Sequence, residues 1–298
     1  MSDAKQEHFV PECHLNRFVN DDGYIFVWDK QAMKLFPSRP NDVCNQHLLY
    51  ETKWIDAAEK LGEFVNKNGI EKKFWKYESS YDVCIGKLLN KVIKSEPVNL
   101  LSSDKRIINE YMALLYLRHP ITMIDTMNYY LDAEKDVEGM MEGLDYLFDV
   151  WEWGSTRSIV EHSKRVGMFD FSIKNGPADS VYNLLSEMHM QLFISDECNF
   201  IISSYPMLIH GDQDVIHDII VPVSKSAAIY YTNRIKTKKH SILTKVNSDI
   251  VKSINSLYMS KENKNARFVI ANTREDIFKT IKMNYEIDHL SDFINQLH

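Results

Sequence analysis

The densest group of potential metal ligands in the sequence lies between residues 210 and 218. It contains two histidines and three aspartates, namely His210, Asp212, Asp214, His217 and Asp218. Imidazole and carboxylate groups at this density could hold a divalent metal ion. The alternative is a solvated turn, because the segment lies between strand-like runs and Gly-Asp is common in turns. We favour the turn.

A basic cluster follows shortly afterwards in the sequence. Its members are Arg234, Lys236, Lys238, Lys239 and His240. Such side chains could contact phosphate groups. Sites for single-stranded nucleic acid usually combine basic and aromatic residues, and here the neighbouring aromatic residues are Tyr230 and Tyr231, upstream of the cluster. We therefore favour a solvated charged surface over a nucleic-acid site.

The motifs of the best-marked enzyme classes are missing from the sequence. It has no Walker loop, Gly-x-Gly-x-x-Gly, Gly-x-Ser-x-Gly, His-Glu-x-x-His or paired-cysteine zinc pattern. The candidate functional residues are therefore ones that only the fold could bring together.

The N-terminal segment combines an imidazole, a rigid proline and a guanidinium, at His8, Pro11 and Arg17. It resembles the opening of an uncharacterised, mainly bacterial family known as domain of unknown function 4238. That opening has the form His-x-x-Pro-x-x-x-Leu-x-x-Phe, and this chain matches it at His8, Pro11, Leu15 and Phe18. No reaction is established for the family, so the resemblance implies a shared fold more directly than an activity.

Further short motifs extend the resemblance along most of the chain. They are Tyr24 to Lys30, Ser38-Arg39-Pro40, Glu78, Arg118-His119-Pro120, Ile194-Ser195-Asp196, Pro222-Val-Ser224 and Asn255. Where the family carries Asn-Pro after Asp196, this chain has Glu197-Cys198. We expect the turn at that point to differ.

Four charged residues stand at these shared positions and fall on separate predicted elements: His8, Glu78, Arg118 and Asp196. If they converge, His8, Glu78 and Asp196 are candidate catalytic residues for acid–base chemistry. Glu78 and Asp196 are also candidate ligands for Mg²⁺ or Mn²⁺.

Substrate binding is assigned to Arg118, with Arg17 and Asn255 as further candidates. A guanidinium group suits an anionic partner such as phosphate. The alternative is a buried polar network in which His8, Arg118 and two carboxylates satisfy one another and fix the N-terminal strand to the helices.

Two functions follow from these alternatives. One is a metal-assisted hydrolase that acts on a phosphate-containing substrate, either a nucleotide or a nucleic acid. The other is a non-enzymatic recognition or partner-binding module, for example in a bacterial stress or phage-related system. An open site containing both carboxylates favours the enzyme, whereas complete burial and pairing favours the module.

Composition limits where the protein works. The 298 residues carry a net charge of −7, so general electrostatics would repel a polyanion or an anionic membrane. The N-terminus lacks the basic and apolar regions of a signal peptide, and no run has the roughly 18 apolar residues of a spanning helix. We expect a cytoplasmic protein with no membrane segment.

The elements that must position these residues are mostly helical. With 10 glycines and 8 prolines, turns are sparse and long helices are favoured. Apolar spacing predicts a helical middle over about 52–166, with helices at 52–67, at 71–94, after 102–104 and beyond Pro120.

A strand-rich part is predicted over about 167–235, with strands at 169–173, 191–195, 200–202, 219–223 and 227–232 and a helix at 178–188. Another strand is predicted at 24–29 and a later helix at 250–258. Because no linker is visible, we expect one intertwined α+β domain over 1–298, in which N-terminal and C-terminal strands build a small mixed or antiparallel sheet.

Overall fold

Helices and three β-sheets make up the fold, which confirms the α+β class. The computed structural model describes residues 6–47, 49–50, 69–132, 156–212, 215–234, 242–260, 263 and 265–284. In this part of the chain the helices are α1 (Glu12–Leu15), α2 (Gly69–Ile93), α3 (Ser102–Leu117), α4 (Pro120–Asp132), α5 (Thr156–Met168), α6 (Pro177–Glu187), α7 (Ser248–Met259) and α8 (Arg274–Asn284).

Eleven described strands form the sheets. They are β1 (Gln6–His8), β2 (Ile25–Asp29), β3 (Lys34–Ser38), β4 (Asn45–His47), β5 (His189–Ile194), β6 (Ile202–Ser203), β7 (Leu208–Asp212), β8 (Val215–Ser224), β9 (Ala227–Thr232), β10 (Leu243–Lys245) and β11 (Phe268–Ala271). One sheet is the β1–β4 pair, a second has the order β10-β5-β9-β8-β7, and a third has the order β3-β2-β11-β6.

The four-stranded sheet joins the two ends of the chain, as the sequence predicts. β11 lies antiparallel to both β2 and β6, with Val27 opposite Ile270. The five-stranded sheet is separate from it and is mixed, because β10 runs parallel to β5 while the other pairs are antiparallel. The strand-rich part of the sequence supplies most of this second sheet.

Helices and the four-stranded sheet cover opposite faces of the five-stranded sheet. Ile229 on β9 packs with Ile85 of α2 and Leu185 of α6. Its neighbour Ala228 belongs to another core cluster, together with Trp28 of the four-stranded sheet. Since successive strand residues point to opposite faces, β9 connects these two parts of the core.

Several predicted helices match observed ones, while others cannot be compared. The helices predicted at 71–94 and 178–188 correspond to α2 and α6. The helix predicted at 52–67 and the segment 133–151 beyond α4 lie outside the described residues.

No helix in the described ranges is both long and apolar enough to cross a membrane.

The strand predicted at 169–173 is wrong. The segment forms turns, in which Asp170 Oδ1 accepts hydrogen bonds from the backbone N–H and the hydroxyl of Ser172, at 2.9 and 2.7 Å. Aspartate and serine stabilise such local turns through their own side chains. These local hydrogen bonds stabilise turns in place of the strand that the run of apolar residues predicts.

Candidate functional site

Arg118 follows the last residue of α3 and is almost completely buried, with 1% exposure. Its Nε donates to the Tyr50 hydroxyl at 3.1 Å, Nη1 to Glu78 at 2.5 Å and Nη2 to the backbone carbonyl of His8. The guanidinium carbon also lies 4.3 Å from the centre of the Phe74 ring. Arg118 thus ties β1, Tyr50 and α2 to the end of α3.

Two carboxylates that the sequence analysis missed complete this group. Glu71 lies 3.7 Å from Arg118 Nη2, and burial raises its pKa to about 7 despite the opposing effect of Arg118. Glu7 is fully buried and accepts from the Tyr50 backbone N–H at 2.6 Å. The spacing of Glu71 and Glu78, two helical turns apart on α2, was the available signal. We call Glu7, Tyr50, Glu71, Glu78 and Arg118 the Arg118 cluster.

His8 joins this cluster through its backbone rather than its imidazole. The ring Nε2 is 3.1 Å from the carbonyl oxygen of Asn41, and burial lowers the pKa of the ring. Only the carbonyl oxygen of His8 contacts Arg118. The structure therefore brings the predicted His8, Glu78 and Arg118 together, with the histidine side chain directed to a different partner.

Asp196 is not brought into the Arg118 cluster. It follows β5 and forms an ion pair with Lys245 of β10 at 2.8 Å, with two-thirds of its side chain exposed. Glu78 pairs with Arg118 instead, so the two predicted metal ligands share no partner. Across the described ranges, no group of three or more His, Cys, Asp or Glu side chains is arranged to hold a metal ion.

Arg17 and Asn255, the further predicted substrate-binding residues, each have partners of their own. Arg17 Nη2 donates to the carboxylate and the carbonyl oxygen of Asp82, at 2.5 and 2.9 Å. The buried Asn255 accepts from the Ile201 backbone N–H at 3.0 Å and donates to the Asn199 carbonyl at 2.8 Å. Asn255 therefore fixes the chain between β5 and β6 against α7.

A second polar group lies on the β7–β8 hairpin, where the sequence analysis favoured a turn. His210 and Asp212 belong to β7, and His217 and Asp218 belong to β8. The turn interpretation is wrong for these four residues. They lie within paired strands, which hold side chains in more defined positions than a solvated turn does.

A β-bulge shapes this hairpin. His210 is opposite Asp218 but Gly211 is opposite Ile216, so His217 is the extra residue. A Cβ atom on Gly211 would collide with the facing backbone of β8. Bulges of this kind re-aim side chains and are frequent beside active sites. Here the bulge brings His217 close to His210, with ring centres 6.3 Å apart.

Asp218 is the centre of the group. It accepts from the Tyr230 hydroxyl at 2.6 Å, the Thr232 hydroxyl at 2.9 Å and Arg234 Nη2 at 2.9 Å, and it lies 3.4 Å from His210 Nδ1. Burial raises the pKa of Asp218, but these hydrogen bonds outweigh it and the net shift is downward. An ionised Asp218 therefore holds His210 and Arg234 side by side.

His217 is held by acceptors on both ring nitrogens. Its Nε2 lies 2.9 Å from Asp212, and its Nδ1 lies 3.4 Å from the side-chain oxygen of Asn233. The Asn233 amide donates to the carbonyl of Ile216 at 2.6 Å, which orients that oxygen. Hydrogen bonding from His217 also lowers the pKa of Asp212. These two contacts fix the orientation of the His217 ring.

We call His210, Asp212, His217, Asp218 and Arg234 the hairpin cluster. The side chains of His210 and Arg234 are 68% and 55% exposed. In the part of the chain that the structure describes, His210 Nε2 has no hydrogen-bond partner. An oriented imidazole nitrogen and a guanidinium group of the cluster are therefore exposed to solvent. The basic residues at 236, 238, 239 and 240 lie outside the described residues.

Comparison with known proteins gives a family rather than an activity. No curated protein and no solved structure matches the chain. A family model described as a protein of unknown function, DUF4238, matches residues 6–275, a span that contains both the Arg118 cluster and the hairpin cluster. The chain belongs to the DUF4238 family.

Proposed function

We propose that the chain is a hydrolase acting on a phosphate-containing substrate, and that the hairpin cluster performs the chemistry. The observation that carries this proposal is the contact of one carboxylate, Asp218, with both His210 and Arg234. An imidazole oriented by a carboxylate is suited to acid–base catalysis. A guanidinium beside it is suited to binding phosphate oxygens.

The geometry supports a direct hydrolytic step. When Nδ1–H of His210 donates to Asp218, the approach of Arg234 Nη2 to Nδ1 is a close contact without a hydrogen bond, and Nε2 carries the lone pair and can accept a proton from water. The water oxygen then bonds to phosphorus, the bond from phosphorus to the leaving oxygen breaks, and the leaving oxygen takes a proton from solvent. Arg234 stabilises the charge on the phosphate oxygens.

Arg234 has donors to spare for this role. Its Nη2 makes the contacts with Asp218 and with His210 Nδ1, at 2.9 and 3.3 Å. A guanidinium has five N–H groups, so within the described residues those on Nε and Nη1 remain available to a ligand. In the Arg118 cluster, by contrast, all three guanidinium nitrogens already donate to the protein.

Assays with a phosphomonoester and a phosphodiester, p-nitrophenyl phosphate and bis(p-nitrophenyl) phosphate, test the proposal. We expect His210→Asn and Arg234→Gln each to lower kcat/KM by about 10²–10⁴, the usual contribution of such groups. His47→Asn, which changes an exposed histidine on β4, is the matched control. Equal activity of His210→Asn and wild type would disprove the assignment.

The sequence assigns Mg²⁺ or Mn²⁺ to Glu78 and Asp196, away from the hairpin cluster, and a metal requirement of the reaction stays a prediction. Activity measured with EDTA and with each added ion tests it.

We place the reaction in the bacterial cytoplasm, a reducing compartment. All four cysteines of the chain are free thiols, which agrees with that setting.

The complete internal bonding of Arg118 favours a second candidate, a non-enzymatic recognition module. In that case the Arg118 cluster is structural and the hairpin cluster binds an anionic partner without reaction. Binding of inorganic phosphate, followed by ³¹P NMR, together with the absence of hydrolysis of either ester, would select this candidate.

A further inference from the structure

A cavity of about 440 Å³ adjoins the hairpin cluster, and His210 and Asp218 form part of its lining. Apolar residues from β7, β8 and the end of α7 make half of the remaining lining, including Leu208, Ile220 and Leu257. Its volume falls within the range of about 300–1,000 Å³ that is typical of small-molecule sites. His210 and Asp218 therefore belong both to the hairpin cluster and to this cavity.

One apolar side chain of the cavity wall is unusually open to solvent. Leu257 lines the cavity and is 53% exposed. Apolar surface gains free energy when a ligand removes it from water, by about 25 cal/mol per Å². A flat, largely apolar chemical group would cover this side chain.

The cavity also has an aromatic and a polar element. The Tyr205 ring lines it and is held edge-on against the His119 ring at 4.7 Å, and burial raises the pKa of Tyr205 to about 12, so the side chain is neutral. Asn263 lines it as well, and its backbone carbonyl accepts from Lys30 at 2.8 Å. The side-chain amide of Asn263 supplies both a donor and an acceptor.

We propose that this cavity binds the nucleobase of a nucleotide whose phosphate lies against His210 and Arg234. The inference rests on the proposed function and narrows its substrate class. A nucleobase combines a flat face, which stacks on aromatic and apolar side chains, with an edge of donors and acceptors. A sugar phosphate lacks the flat apolar face, and an acyl chain lacks the hydrogen-bonding edge that Asn263 matches.

The first test uses nucleosides, which carry the base without a phosphate. Adenosine and guanosine are titrated into the full chain and followed by saturation-transfer NMR. We expect binding to wild type, and binding at least about tenfold weaker to Leu257→Arg, which places a charge in the cavity. Leu101→Arg, at another exposed leucine, is the matched control and should bind like wild type.

The second test compares substrates. Leu257→Arg should lower kcat/KM for adenosine and guanosine monophosphates at least about tenfold more than it changes kcat/KM for methyl phosphate, because methyl phosphate has no base. Absence of nucleoside binding to wild type, or equal binding to Leu257→Arg, overturns the cavity proposal. Nucleoside binding that follows the prediction without hydrolysis of any ester supports the cavity and overturns the hydrolase proposal alone.

Discussion

Arg118 shows how a charge is kept inside the protein. Burial lowers its pKa, but Tyr50, Glu78 and Glu71 act in the opposite direction and the net shift is upward. The guanidinium therefore stays ionised and needs its partners. Removing one member of a buried ionic group leaves the charges of the others unpaired. This lowers stability more than replacing the whole group with apolar residues does.

Arg118→Ala should lower the free energy of unfolding by about 3–5 kcal/mol, because Glu78 and Glu71 lose their cation in a buried place. Urea melts of the variant and of wild type measure the difference. Arg106→Ala, which breaks a helical pair with Glu110 in which the Arg106 side chain is 70% exposed, is the control and should cost about 1 kcal/mol or less. A wild-type midpoint for Arg118→Ala would instead favour the predicted anion-binding role.

Glu71 should give the stability of the protein a characteristic pH dependence. Its pKa is about 7 in the folded chain, raised from an ordinary 4.5 by burial. The folded state therefore holds this proton more tightly than the unfolded state. The corresponding stability is fully present below pH 4.5 and is lost as the pH rises through 7.

Glu71→Gln keeps the shape of the protonated carboxyl group and removes its titration. We expect the variant to gain stability relative to wild type between pH 4.5 and 7.5, by up to about 3 kcal/mol. Urea melts at several pH values provide the measurement, with the exposed Glu187→Gln as control. A difference between Glu71→Gln and wild type that is constant over this range would show that Glu71 is charged in the folded protein.

At the scale of elements, residue patterns predict regular structure better than they predict how strands are paired. Helical spacing located α2 and α6 closely, and β-branched and aromatic runs located β2 and β9. These signals are local, since each depends on one face of one element. The Asp170 turn, mistaken for a strand, shows that side-chain hydrogen bonds can reverse such a signal.

The sequence singled out four members of the hairpin cluster, His210, Asp212, His217 and Asp218, but not their arrangement, because the bulge decides it. A shift of one residue in strand register changes which side chains share a face. The register of β7 on β8, and the approach of Tyr230, Thr232 and Arg234 from β9, depend on pairing across the whole sheet. The Arg118 cluster was partly visible, because matching motifs marked Glu78 and Arg118 but left out Glu71 and Glu7.

Gly211→Ala tests the bulge directly. Its Cβ would collide with the backbone carbonyl of Val215, so the hairpin must change its pairing and move His217. We expect a loss of stability of about 1–3 kcal/mol and at least about tenfold lower kcat/KM for phosphate esters. Gly86→Ala is the control, because a Cβ there has only an ordinary contact of 3.7 Å with Arg17.

At the scale of the whole molecule, the sheets share one continuous core. The cluster that contains Trp28 of β2 also contains Val269 of β11, Ala228 of β9 and Val251 of α7. Elements from the beginning, middle and end of the sequence thus bury the same apolar surface. Such sharing makes independent unfolding of one part unfavourable.

We therefore expect a single unfolding transition, in which tryptophan fluorescence and far-UV circular dichroism change at the same temperature. Val269→Ala should shift both signals down together, because it removes buried methyl groups from the shared core at a cost of about 1–3 kcal/mol. Val83→Ala, at an exposed position on α2, should have little effect. Two separate transitions would contradict the expectation of one intertwined domain.

The pairing of β2 with β11 also affects how the protein emerges from the ribosome. Asp29 and Arg267 form an ion pair beside this pairing although they lie 238 residues apart. Because protein synthesis proceeds at about 5–20 residues per second, β11 is synthesised roughly 10–50 s after β2. Until then β3 can pair with β2 on one side only, and the opposite edge stays open to other nascent chains. Chains that terminate before residue 268 should therefore depend on chaperones to escape aggregation, and completion of the C-terminal strand closes that edge.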